Sequence, residues 1–483
     1  MTVRIKKYND LHLRIETDSI EYLDAMRLEF TRTVPDFRFT PAYKKGRWSG
    51  RVCMIEKYRH TFPYGLLFDY VRIHKKNFSN IPIEIDKEVK EIFQGPDIEI
   101  KYDLPTHEVR PYQDDCVRAC IKHTKGIIRS ATASGKSLVI AYIIRNLLQN
   151  GIIQKSIIIV PNTGLITQFY QDLLDYGFDH TKVGVAYAAR KQWEKETVIS
   201  TWQTLSNNHD KLDLFQCVFC DETHQAKAHE LKKILENAKT SQYRFGFTGT
   251  LHSTELDNWN TKAYLGPIIR EYPAGFLAEQ GFISKCNIHM LNIEYNEENK
   301  VSYHDMRDMV FRNDYRVRLV KKLTDYLDHN VLLLVDKVEK EGEFLKDVLS
   351  NSIDKEVIFL SGKDDVSVRE KWRKECMKRD NIALIATYGI FQMGINIPNL
   401  KYIILVSPFK AKIRVLQSIG RALRMYVNKE NGAHIFDIHD HTKFFDKYGT
   451  IRLRYYDLEK FDVTEHVFYE GDSISLAFLS ELL

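Results

Sequence analysis

Two tandem parallel-sheet α/β domains, preceded by a small α+β domain, are the architecture this 483-residue chain predicts. Short β-branched runs alternate with helical patterns between about residues 100 and 250, the same rhythm resumes after about 325, and the pattern before 100 is different. Strands that alternate with helices pair in parallel, because each helix supplies the crossover. In chain order the first block reads as strand Gly126–Ser130, helix Ser137–Gln149, strand Ser156–Pro161 and helix Thr163–Tyr176, then strands Thr197–Thr201, Phe215–Cys220 and Tyr243–Phe247. The second reads as strand Val331–Val335, helix Glu339–Leu349, strand Val357–Leu360, helix Ser367–Arg379, strands Ile382–Ala386 and Tyr402–Val406, and helix Ile413–Arg424. Between them, Leu251 to His329 is mixed and polar and is expected to contain a hinge. A helix near Ser19–Phe30 and several aromatic short strands mark the N-terminal domain. The expected boundaries are 1–98, 99–280 and 281–483.

Composition excludes several classes. Hydrophobic residues make up 44% and charged residues 28%, as in ordinary globular proteins, which rules out collagen-like and largely disordered chains. The longest apolar runs are far short of the roughly 20 residues a membrane helix needs. The opening MTVRIKKYND lacks a signal-peptide apolar core. A soluble cytoplasmic protein is expected. Seven scattered cysteines point to reduced thiols. Cys217 and Cys220, three apart on a strand, would face opposite sides, which argues against a metal site.

The net charge of +5 is mild, but its distribution is not. Between Arg32 and Lys76 lie eleven basic and three acidic residues, a local net of +8, more than the whole chain carries.

The strongest chemical signal is Ala131-Thr-Ala-Ser-Gly-Lys-Ser137, after a strand and opening a helix. Such a loop points backbone N–H groups, here of Thr132, Ala133, Ser134 and Gly135, at phosphate, and the helix N-terminus adds its dipole. Lys136 would reach the β- and γ-phosphates and the Ser137 hydroxyl would ligate Mg²⁺. Ser130 stands where the first glycine of the common phosphate-loop pattern falls. Asp221-Glu-Thr-His224 follows the apolar strand Phe215–Cys220. A carboxylate at a strand end can hold Mg²⁺ through water, and its neighbour can orient and deprotonate an attacking water. Asp221 suits the first role and Glu222 the second. A charged turn is the simpler reading of this tetrapeptide alone; its position about 85 residues after the phosphate loop favours chemistry.

The order ATASGKS, DETH, Thr248-Gly-Thr250 and Gln417-Ser-Ile-Gly-Arg-Ala-Leu-Arg424 resembles superfamily 2 DExH helicases and translocases. Arg110-Pro-Tyr-Gln113 resembles the family's adenine-reading segment. Val160-Pro-Asn-Thr163 and Thr201-Trp-Gln203 resemble its strand-contacting motifs, and Ala386-Thr387 with Gln392-Met-Gly-Ile-Asn-Ile-Pro398 resembles motif V. The resemblance covers about residues 108 to 440. It implies two RecA-like domains sharing one ATP, with Arg110, Tyr112, Gln113 and Gly394 on the nucleotide. It also implies that His224, Thr248 and Thr250 couple nucleotide state to strand binding, and that Thr163, Thr201, Trp202 and Thr387 contact the strand. Gln417, Arg421 and Arg424, spaced to share one helix face, would complete catalysis, the two arginines as fingers on the γ-phosphate.

In the N-terminal domain, Phe37-Arg-Phe-Thr-Pro-Ala-Tyr43, Gly46-Arg-Trp-Ser-Gly-Arg51 and Phe62-Pro-Tyr-Gly-Leu66 resemble UvsW-type phage recombination helicases. That resemblance implies branched or forked DNA as the partner, RNA–DNA hybrids as a further one, and 3′→5′ movement. Lys44, Lys45, Arg47 and Arg51 can neutralise phosphates, while Tyr43 and Trp48 can stack or wedge; most other aromatics are expected in the core. A monomer is expected. An RNA-stimulated motor, an inert ATPase-fold factor and the motor subunit of a restriction system are the alternatives; the intact Lys136, Asp221, Glu222, Arg421 and Arg424 argue against the inert factor. Asp437-Ile-His-Asp-His441 could be read as a metal cluster, but a structural acidic turn after a strand is the favoured expectation, and the apolar Leu476–Leu483 is expected to be a docked terminal helix.

Overall fold

The computed structural model describes residues 1–105, 108–225, 228–252, 254–296, 301–393, 397, 400–408, 419–420, 432–475 and 479–480. They form two compact units, one of residues 1–130 and 135–271 and one of residues 131–134 and 272–483.

The first unit is built on an eight-stranded sheet in the order Arg190–Lys191, Val183–Tyr187, Thr197–Thr201, Ser156–Val160, Cys217–Asp221, Tyr243–Thr248, Lys125–Ser130 and Ile268–Tyr272. The six strands from Val183–Tyr187 to Lys125–Ser130 pair in parallel. Five of them are buried at every residue, the mark of a sheet covered on both faces. Parallel order carries each strand's C-terminal end to the same edge, and that edge holds Ser130, Val160, Thr201, Asp221 and Thr248.

Four short strands, Thr61–Pro63, His12–Glu16, Val3–Lys7 and Ile83–Ile85 in that order, form the N-terminal sheet. Helices Ile20–Glu29 and Leu67–Asn77 accompany it, and a two-stranded ribbon pairs Thr31–Thr33 with Arg51–Cys53. This segment shares one hydrophobic cluster with the large sheet. Phe30 meets Trp259 edge to face at 4.9 Å, and Arg32 lies over the same indole at 4.1 Å. The buried Asp69 pairs with Lys262 at 3.3 Å. At Gly65 a Cβ would fall 1.8 Å from the Lys262 carbonyl oxygen, so only glycine allows this approach.

The second unit carries seven strands in the order Glu356–Leu360, Ile382–Thr387, Val331–Val335, Tyr402–Leu405, Ala433–His441, Cys286–Glu294 and Asp462–Tyr469, all paired in parallel. Two features differ from the sequence expectation. The polar stretch after Leu251 contains the buried strand Cys286–Glu294, because its polar side chains find partners across the sheet: His289 Nε2 meets His434 Nδ1 at 3.0 Å, and Asn292 reaches Glu465 at 3.2 Å. The segment Asp437–His441 is strand, not turn. Its acids pair with arginines in the core, Asp437 with Arg452 at 2.7 Å and Asp440 with Arg316 at 2.8 Å.

The helix expected over Glu339–Leu349 begins as a π-helical turn, Val338–Glu343, before Phe344–Ser350. The buried Glu341 carboxylate accepts from Arg307, Ser407 and the backbone amides of Asp336 and Lys337. Most of the expected helix Ile413–Arg424 and of the terminal Leu476–Leu483 lies outside the described residues. Among the described residues no helix is long and apolar enough to cross a membrane.

Candidate active site

The phosphate loop leaves the buried Lys125–Ser130 strand and opens the helix Lys136–Gln149. Ala133 (φ 68°) and Gly135 (φ 75°) both take left-handed backbone conformations, which turn successive amides toward one concavity. At Gly135 a Cβ would lie 2.5 Å from Gln113 Nε2, so the loop needs glycine to pass this side chain. Gln113 is buried, and its Oε1 accepts from the Arg110 N–H at 3.0 Å at the start of helix Pro111–His123. Tyr112 is also buried, and its hydroxyl lies 3.4 Å from Arg110 Nη1. The segment Arg110–Gln113 therefore sits against Gly135 of the loop. Lys136 Nζ donates to the Ser130 carbonyl at 3.2 Å. Ser137 Oγ is 3.0 Å from the Tyr176 hydroxyl, a partner that nothing in the motif pattern signalled.

Asp221 ends the Cys217–Asp221 strand and is buried. Burial, reinforced by the neighbouring Glu222 charge, raises its carboxyl above the usual carboxylate range, and Lys136 opposes that shift. Its Oδ1 is buried without a hydrogen-bond partner among the described residues. A buried carboxylate oxygen with no donor, near a lysine and a serine hydroxyl, fits a hard divalent cation.

Glu222 adopts a left-handed backbone (φ 47°), a conformation that costs a non-glycine residue about 1 kcal/mol or more. Its Oε2 lies 3.3 Å from His224 Nδ1 and, among the described residues, makes no hydrogen bond. His224 Nδ1 is 2.6 Å from Thr248 Oγ1. The Thr248 hydroxyl donates to the Thr250 carbonyl at 2.6 Å and accepts from the Thr250 N–H at 3.3 Å. Because the threonine proton is committed to that carbonyl, the His224 Nδ1 carries the hydrogen. Burial depresses the His224 pKa to about 4, so the ring is neutral near pH 7. The motifs DETH and TGT thus meet: His224 is hydrogen-bonded to Thr248 and through it to Thr250, and the Glu222 carboxylate lies beside the His224 ring. Cys217 and Cys220 are buried free thiols on the same strand.

The expected strand-contacting residues separate. Thr163 is exposed at the start of helix Thr163–Asp175, which Asn162 caps. Thr201 is buried, and its hydroxyl caps helix Trp202–Ser206 by accepting from the Thr204 N–H at 3.3 Å. Trp202 is only 2% exposed, so its ring belongs to the core. Thr387 is buried at the end of strand Ile382–Thr387. Gly394, Gln417, Arg421 and Arg424 lie outside the described residues.

In the N-terminal segment Lys44, Lys45, Arg47 and Arg51 are exposed. Among the described residues, the ion pairs made by basic residues of this region are Arg32–Glu255 and Arg72–Asp69. Trp48 is half-buried, and its Nε1 donates to the Arg51 carbonyl at 3.0 Å, so it braces the loop. Tyr43 packs edge to face on Phe37 at 4.7 Å. The most exposed rings are ones the sequence did not single out, Phe39 (74% exposed) and Tyr58 (82%). Their interleaving with Arg38, Lys57 and Arg59 was the available signal.

Comparison with known proteins matches the family "Type III restriction enzyme, res subunit" to residues 106–253 and "Helicase conserved C-terminal domain" to residues 316–426, together more than half of the chain. The chain is 26% identical to the ATP-dependent DNA helicase uvsW of Enterobacteria phage T4, over 96% of this chain and 98% of that one. It is 25% identical to the DNA 3′-5′ translocase XPB2 of Sulfurisphaera tokodaii, over 74% of this chain and 87% of that one. The crystal structure of T4 UvsW superposes with a TM-score of 0.51 at 24% identity, covering 97% of this chain and all of the other.

Proposed function

The chain belongs to the superfamily 2 helicases and is an ATP hydrolase, and from that premise we propose that it is a DNA motor that remodels branched DNA. The proposed work is fork regression, junction migration and the unwinding of R-loops and D-loops, with 3′→5′ polarity and a cytoplasmic location. The observation that carries the proposal is the placing of Glu222 3.3 Å from His224, which is hydrogen-bonded to Thr248 and through it to Thr250, beside the buried Asp221. It gives the hydrolytic carboxylate a physical connection to a neighbouring motif. Branched DNA is supported by the full-length similarity to a phage DNA helicase and by the exposed basic and aromatic N-terminal surface. Polarity is supported by the similarity to an archaeal 3′-5′ translocase.

In this reading the loop amides of Thr132 to Gly135 bind the ATP phosphates, Lys136 neutralises them, and Gln113 with Arg110 and Tyr112 receives the base. Ser137 and Asp221 hold Mg²⁺, which supplies charge neutralisation on the phosphates. Glu222 takes the proton of the attacking water. His224 holds Glu222 in register with Thr248 and Thr250. Gln417, Arg421, Arg424 and Gly394 keep their assignment to the nucleotide. The test is hydrolysis and strand displacement on forked DNA, four-way junctions and RNA.

Two consequences can be measured directly. Mg²⁺ binds the ionised Asp221 carboxylate, and that carboxyl is raised by burial and by Glu222. A proton therefore competes with the metal: Mg²⁺-nucleotide affinity should be full at pH 8 and fall on acidification, approaching about tenfold per pH unit below the raised pKa. Fluorescent-nucleotide titrations from pH 5.5 to 8 check this, and a flat profile would remove Asp221 from the metal site. At the N-terminal surface, Lys44→Ala/Lys45→Ala/Arg47→Ala should lower the slope of log affinity for DNA against log salt by about 2 to 3, near 0.9 for each phosphate no longer neutralised. Affinity titrations from 50 to 200 mM salt measure it; an unchanged slope would clear these residues of any role on the DNA backbone.

A further inference from the structure

We propose that His439, His441, Asp446 and Glu294 form a binding site for one divalent transition-metal ion, with zinc as the probe, in the second unit and apart from the ATPase residues. His439 and His441 are two apart on strand Ala433–His441 and so share a face. In the parallel register Asn292 lies opposite His439 and Glu294 opposite His441. The chain then reverses, and Asp446, the first residue of helix Asp446–Leu458, returns over both rings.

The ligand atoms of His439, His441 and Asp446 all lie within 4.8 Å of one another. His441 Nδ1 is 3.0 Å from Asp446 Oδ1 and 3.5 Å from Glu294 Oε1. His439 Nε2 is 2.8 Å from the Asp446 carbonyl and 4.0 Å from its Oδ1. A tetrahedral zinc shell with bonds near 2.0–2.1 Å places its ligand atoms about 3.3 Å apart, so small side-chain movements close the two histidines and Asp446 on one ion, with Glu294 beside His441 as the fourth ligand.

The outer ring nitrogens decide what the inner ones can do. Asn292 Oδ1 is 2.7 Å from His439 Nδ1 and 3.2 Å from His441 Nε2. The amide is oriented by its own Nδ2, which donates to Glu465 at 3.2 Å. One carbonyl oxygen thus faces both rings, and it can only accept, so His439 Nδ1 and His441 Nε2 carry the hydrogens. That leaves lone pairs on His439 Nε2 and His441 Nδ1, aimed at a carbonyl and at two carboxylates. A cluster in which every inward group is an acceptor requires a cation. The two rings lie with centroids 4.1 Å apart and His439 is only 4% exposed, so one ion can bridge them in a place poor in water. One divalent ion satisfies all the acceptors, and histidine ligands with their outer N–H donated to an oxygen are the usual arrangement around such an ion. The pocket is rigid on the His439 side, since a Cβ at Gly449 would fall 2.1 Å from that ring. His441 and Asp446 reach solvent, which gives the ion a way in.

The experiment is competition for Zn²⁺ between the full chain and a chromophoric chelator, with Co²⁺ absorption as a ligand signature, in excess Mg²⁺. One zinc per chain is expected for the parent protein. His441→Ala and Asp446→Asn should each weaken it at least tenfold and diminish the Co²⁺ band, with Lys136-dependent ATP hydrolysis retained. Asp446 is largely exposed, so Asp446→Asn keeps the test valid if the histidine variant does not fold. Absence of stoichiometric zinc in the parent protein, or equal affinity in parent and Asp446→Asn chains, would overturn the site and leave the reading of the motor untouched.

Discussion

Glu222→Gln should lower the turnover of ATP by about 10²- to 10⁴-fold, the usual worth of a positioned general base, while nucleotide affinity changes by no more than a few-fold. The substitution keeps the shape of the side chain and removes its ability to take a proton. The geometry makes this separation sharp. Among the described residues Glu222 Oε2 accepts no hydrogen bond, so the carboxylate is not consumed by the protein, and His224 Nδ1 stands 3.3 Å away as a neutral neighbour. Both carboxylates carry a buried oxygen without a hydrogen bond among the described residues, and Asp221, at the strand end and the more buried residue, is the one assigned to the metal. Single-turnover hydrolysis beside equilibrium binding of a fluorescent nucleotide separates the two effects. Loss of binding comparable to the loss of turnover would reverse the roles assigned to the two carboxylates.

Lys136→Ala should cost more, because it acts on binding and on the transition state together. Lys136 Nζ donates to the Ser130 carbonyl at 3.2 Å, and its charge acts on Asp221. On the bound nucleotide it would meet the β- and γ-phosphates, where charge develops during phosphoryl transfer. We expect hydrolysis to fall by about 10³-fold or more, with folding intact because the side chain is not part of the apolar core. Loss of the lysine also removes the charge that opposes the raised Asp221 carboxyl, so Mg²⁺ binding should shift to higher pH. ATPase assays at saturating nucleotide, with a melting curve as control, test this; near-normal turnover would dismiss the phosphate-loop assignment.

How much of this was legible in the chain depends on what kind of interaction each residue makes. The parallel sheets were legible because both faces are covered, and runs such as Ser156–Val160 and Val331–Val335 are buried throughout. The strand Cys286–Glu294 was not, since its Asn and His side chains are satisfied only by partners at His434, Glu465 and His439, far away in sequence. The phosphate loop and the DETH carboxylates could be located because their settings, a loop between strand and helix and the end of an apolar strand, are local in sequence. The burial of Trp202 was not legible, because it is set by packing in the core of the unit that no local pattern encodes. Nor was the hold of the Arg51 carbonyl on the Trp48 indole, or the exposure of Phe39 and Tyr58. The union of the N-terminal sheet with the first large sheet rests on Gly65 beneath Lys262 and on Phe30 and Arg32 against Trp259, pairs about 200 residues apart.

That shared core also bears on how the DNA surface is best tested. Removing the N-terminal residues would uncover Trp259 and leave Lys262 without Asp69, so a truncated chain would confound stability with DNA affinity. Charge substitutions at the exposed Lys44, Lys45 and Arg47 avoid this.

The central claim is tested most directly by the rate of ATP hydrolysis across single-stranded DNA, duplex DNA, a fork with a 3′ or a 5′ tail, a four-way junction and single-stranded RNA, with Lys136→Ala as the blank. A motor for branched DNA predicts the strongest stimulation by the junction and the 3′-tailed fork, and none in the blank; stimulation by RNA alone would contradict it.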